Sequence, residues 1–126
     1  MKNLWTALLM LTTLSAHAFV NEVECNGNLN GSRVDLEVER AWGGMRPARL
    51  IDWGQRGTNS EIENFMVRNV RALAGRLQYN GDKGFFLEVD LWPDRVPAWG
   101  RTYRASFMTQ DRARGNLFCR FPNARP

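Results

Sequence analysis

In segment after segment of this chain, apolar and polar residues change places one by one. Val34, Leu36 and Val38 alternate with Asp35, Glu37 and Glu39, and Phe85, Leu87, Val89 and Leu91 alternate against Glu88 and Asp90. Tyr103, Ala105 and Phe107 do the same against Thr102, Arg104 and Ser106. A period of two sends successive side chains to opposite faces of an extended backbone, so each segment can bury one face and solvate the other. Asn- and Gly-rich stretches stand between these segments, where such residues accept positive φ at low cost.

The segments run in order. Phe19 to Cys25 suits a first strand, with Asn26 to Gly31 as a turn-rich break and Arg33 to Trp42 as the next strand. Gly43-Gly44 reads as a turn and Pro47 as a strand start, followed by strand from Ala48 to Trp53 and loop from Gly54 to Ser60. Ser60 and Glu63 have capping-box spacing, and Ile62, Phe65, Met66, Val70 and Leu73 share one helical face, so a short helix is expected over 61–71. Asn80 to Gly84 is a hairpin turn between Arg76–Tyr79 and Phe85–Leu91. Trp92 to Gly100 forms a loop, Arg101 to Met108 a strand, Thr109 to Gly115 a turn and Asn116 to Phe121 a closing strand. The expectation is a mainly β domain: a small antiparallel β-sandwich or barrel of about seven strands, with one short helix near residues 61–71.

Residues 1–18 have a different character. Lys2 precedes an apolar run from Leu4 to Leu14, and Ser15-Ala16-His17-Ala18 places small residues at the positions a signal peptidase reads. That layout is a cleavable secretory signal peptide, and the run is too short to span a bilayer. Removal leaves residues 19–126, enough for a single domain with one core and carrying no segment of transmembrane length. A periplasmic or secreted location would follow for a bacterial product.

Export fixes much of the available chemistry. His17 is the chain's one histidine, and it lies in the leader, so the mature domain is expected to work without imidazole. The two cysteines, Cys25 and Cys119, stand near the two ends of the mature chain and are expected to form a disulfide in an oxidising compartment. With the thiols engaged and no imidazole, neither a metal site nor a cofactor is expected. Net charge is +4 for the whole chain, and the basic residues are spread out rather than massed, which argues against a nucleic-acid partner.

Carboxylates remain for catalysis. Glu37 with Glu39, Glu61 with Glu63 and Glu88 with Asp90 are paired at i, i+2, but a glycosidase needs two acids facing each other across a cleft. A carboxylate-dependent hydrolase is therefore the weakest alternative. The segment Trp92-Pro93-Asp94-Arg95-Val96-Pro97-Ala98-Trp99 stands out, because two prolines stiffen it and Trp and Arg are enriched among interface hot spots. Trp92 and Trp99 have two readings: they fold back to close one end of the core, or they are displayed to a partner. Trp92, Arg95, Trp99 and Trp53 are the candidate ligand-binding residues, and with Trp42 the tryptophans would make an aromatic platform suited to cell-wall glycan. The function expected is a non-enzymatic exported domain that binds a protein or envelope component, with a carbohydrate-binding module as the alternative.

Overall fold

The computed structural model describes residues 20–41, 43–57 and 60–124. Residues 1–18, over which a signal peptide is expected, and Trp42 lie outside the described residues. Eight antiparallel strands follow one another: β1 (Asn21–Leu29), β2 (Ser32–Glu39), β3 (Arg46–Gly54), β4 (Glu61–Leu73), β5 (Arg76–Gly81), β6 (Phe86–Asp90), β7 (Tyr103–Thr109) and β8 (Arg112–Arg120). Each pairs with its neighbours in sequence, and β1 pairs with β8, so the sheet is a closed up-and-down barrel rather than a sandwich. Closure removes the free edges that an open sheet of this size would expose.

Three expectations change. The segment expected as a helix is the longest strand, β4, whose buried residues Phe65 and Val67 follow the two-residue period. Its register slips between Val67 and Asn69, so Val70 lands three places after Val67 on a face it would miss in a regular strand, and the spacing imitates a helical stripe. Asn26 to Asn28 is not a break, because β1 continues to Leu29 and turns only at Asn30-Gly31. Gly27 belongs in that strand because a Cβ there would stand 2.9 Å from the Leu117 side chain of β8. The last turn is likewise only Gln110-Asp111, with β8 running from Arg112.

The inward positions of all eight strands fill the barrel. Val23, Val34, Leu36, Val38, Leu50, Val67, Leu87, Val89, Phe107 and Leu117 are essentially inaccessible. Phe85 bridges Phe65 and Phe107 with ring centroids 5.3 and 5.2 Å apart, the first pair tilted and the second edge-to-face. Such contacts contribute beyond the area they bury. Cys25 lies directly opposite Cys119 across the β1–β8 seam, and the two are joined as a disulfide with Cα atoms 4.0 Å apart. A disulfide is compatible with an oxidising compartment.

Candidate functional site

An up-and-down barrel sorts its connections between two rims. One, the turn rim, carries Asn30-Gly31, the β3–β4 loop, the β5–β6 turn and Gln110-Asp111. The other, the loop rim, carries the start of β1, the β2–β3 loop, the Ala74-Gly75 turn, the long β6–β7 loop and the residues after β8.

Each rim has a polar cluster spanning non-adjacent strands. At the turn rim, Arg112 of β8 reaches Asp52 of β3 and Glu63 of β4, with nitrogen–oxygen distances of 3.0 Å to each. Burial alone would lower the Arg112 pKa, but the hydrogen bonds to Glu63 and Asp52 outweigh it and the group is held more firmly protonated. At the loop rim, Glu22 of β1 accepts Arg46 Nε of β3 at 3.1 Å and the Tyr79 hydroxyl of β5 at 2.9 Å. Burial first, then the Glu22 charge, pushes the Tyr79 phenol up. With apolar side chains filling the interior and these clusters across it, the features open to a partner lie on the outside.

The β6–β7 loop is the largest of them. Its ends are anchored by Leu91, 1% exposed, whose N–H donates to Gly75 O at 2.8 Å, and by Tyr103, 3% exposed, whose ring meets Phe121 edge-on at 5.9 Å. The Tyr103 hydroxyl donates to Asp94 Oδ2 at 2.7 Å and accepts Ala98 N–H at 2.8 Å, so one buried phenol holds two points of the loop. Burial and the bond to Asp94 push that phenol's pKa up. Arg101 completes the brace through a 3.3 Å ion pair to Asp94. The Trp92–Pro93 peptide bond is cis.

What the brace displays is apolar. Trp92 is 80% exposed, Val96 70% and Trp99 61%. The core-closing reading of these tryptophans therefore fails: Leu91, Tyr103 and Phe121 are the buried side chains at this end. Trp92, Pro93 and Arg95 face Leu73 and Gly75 across an open groove. A second cleft, under Trp99, is lined by Arg101, Arg120 and Phe121.

No family model, curated protein or solved structure matches this chain.

Of the four candidate binding residues, Trp92, Arg95 and Trp99 share the loop rim. Trp53 stands near the other rim, half-buried on β3, with its indole N–H donating to Asp35 Oδ2 at 2.8 Å. It cannot join the other two in one platform. The paired carboxylates lie mostly on the outer wall: Glu37 takes Arg49 and Glu88 takes the Gln78 amide, while Glu63 belongs to the Arg112 cluster. Among the described residues no group of three or more acidic or sulfur ligands is placed to hold a metal ion, and no helix is long and apolar enough to cross a membrane. Sequence reasoning missed Tyr103, the residue that organises the loop. Its alternation with Ala105 and Phe107 marked it as core, and nothing local signalled that its hydroxyl would serve Asp94 and Ala98.

Proposed function

We propose that this chain is an exported, non-catalytic binding domain of the bacterial envelope, periplasmic or secreted, that engages a protein or envelope component through the β6–β7 loop. The observation that carries the reading is the exposure of Trp92, Val96 and Trp99 on a loop tied down by a buried tyrosine. A soluble domain of this size has reason to keep its large aromatics inside, and displayed apolar clusters mark interaction surfaces. A braced loop also loses little conformational freedom on binding, so more of its contact energy appears as affinity.

Photo-cross-linking in the envelope tests this. A benzophenone amino acid placed at Val96 should give discrete adducts, and the same group placed at Gln110 on the turn rim should give none. Equal labelling from both positions would sink the reading. The glycan alternative would draw on Trp92, Arg95 and Trp99 without Trp53. Titration of tryptophan fluorescence with peptidoglycan fragments separates it, since a flat titration removes that ligand while leaving the cross-linking result standing.

A further inference from the structure

Most of the exposed large apolar side chains gather at one rim. Val20, Met45, Leu73, Trp92, Val96 and Trp99 all belong to the loop rim, where they are spread over the start of β1 and three separate connections. Of the other exposed large apolar residues, Ile62 and Met108 lie near the turn rim and Phe118 on the outer wall of β8, and the turn rim itself carries Asn30, Gln55, Arg56, Lys83, Gln110 and Asp111. The loop rim is therefore the end richer in exposed apolar side chains.

Exposed cations stand at both rims, Arg33, Arg56 and Lys83 among them at the turn rim. The loop-rim carboxylates Glu22, Glu24 and Asp94 are each engaged by an arginine: Arg46, Arg120 and Arg101. Arg40, Arg76 and Arg95 are exposed at this rim and have no partner among the described residues. Glu39 and Asp90 are the remaining acids there, and Asp90 already accepts the Trp92 N–H at 3.1 Å.

We propose that the loop rim docks on an anionic phospholipid bilayer, with Trp92, Val96 and Trp99 entering the headgroup–acyl boundary and Arg40, Arg76 and Arg95 meeting lipid phosphates. This rests on the loop-rim reading above and names its partner. Apolar tips contributed by the start of β1 and three separate connections, with arginines among them, suit an anionic interface. Tryptophan has its amphipathic ring suited to the interface, and arginine beside it supplies the attraction to anionic lipid.

The test is flotation of the disulfide-bonded protein with phosphatidylcholine vesicles, with and without phosphatidylglycerol, read together with the tryptophan emission. Binding should require phosphatidylglycerol, shift the emission to the blue and weaken with added salt. The W92A/W99A double variant should lose more than about tenfold in partition. Each of R76Q and R95Q should lose about fivefold, while R56Q at the opposite rim changes nothing. All these side chains are exposed, so thermal unfolding should be unaltered in every variant. Indifference of the wild type to phosphatidylglycerol vesicles, or equal partition of the double variant, overturns the proposal. If vesicles are ignored while Val96 still gives discrete protein adducts, the bilayer is excluded and the binding loop stands. If neither occurs, both readings fall.

Discussion

Tyr79 and Tyr103 are the chain's two tyrosines, and each spends its hydroxyl on a carboxylate at or near the loop rim. Both phenols are raised from the ordinary value of 10.0, burial being the first cause in each. A phenol whose folded pKa lies above its unfolded value contributes stability that is intact below the unfolded pKa and is lost as pH rises toward the folded one. Alkaline titration followed at the phenolate band should therefore show both tyrosines still protonated in native protein somewhat above pH 10, then ionising together as the barrel unfolds. A native-state titration with a normal phenolic midpoint would contradict the two hydrogen bonds. Gly81 offers a second measurement at this scale. A Cβ at that position would lie 2.6 Å from Met66 O and 3.1 Å from the Val67 Cα, both backbone atoms that cannot swing aside. Gly81→Ala should cost about 1–3 kcal/mol in urea unfolding, as overpacking against a fixed neighbour does.

Strand β4 shows at the level of the element why pattern reading succeeds or fails. Strands β2, β6 and β7 were legible because nearly every apolar residue in them points inward, so the period is clean. In β4 two large apolar residues, Ile62 and Leu73, are 56% and 41% exposed, and the slip between Val67 and Asn69 changes the phase midway. Apolar residues that face outward add noise, and a bulge converts a period of two into intervals of three. The difference is measurable. A helical stripe would bury Ile62 and Phe65 alike, whereas the strand leaves the first outside. Ile62→Thr should shift stability by less than about 0.5 kcal/mol, and Phe65→Ala should cost about 3–5 kcal/mol through the void it leaves beside Phe85. The loop was legible in its composition but not its geometry: prolines and tryptophans could be read from Trp92–Trp99, while the choice between packing inward and standing out depended on whether eight inward-facing strands left room.

At the scale of the whole molecule, closure depends on one seam. β1 and β8 are farthest apart in sequence, and four residue pairs, from Glu24–Arg120 to Gly27–Leu117, join them. Cys25–Cys119 sits within that ladder and links positions 94 residues apart. Restricting so long a loop in the unfolded chain is worth about 4–5 kcal/mol in the chain-entropy model. Replacing both cysteines by alanine should lower unfolding free energy by about that amount, and amide exchange should accelerate first along β1 and β8, since the other seven pairings join strands consecutive in sequence. A further consequence follows from the hydrogen bond of 2.7 Å between Asn123 Nδ2 and Asn21 O, which brings the lead-in to the first strand beside the exit from the last. Whatever is tethered to either terminus is delivered to the tryptophan-bearing face. A circular permutant with a short bridge there, reopened between Gln110 and Asp111, would keep the same barrel and carry its cargo on the opposite pole.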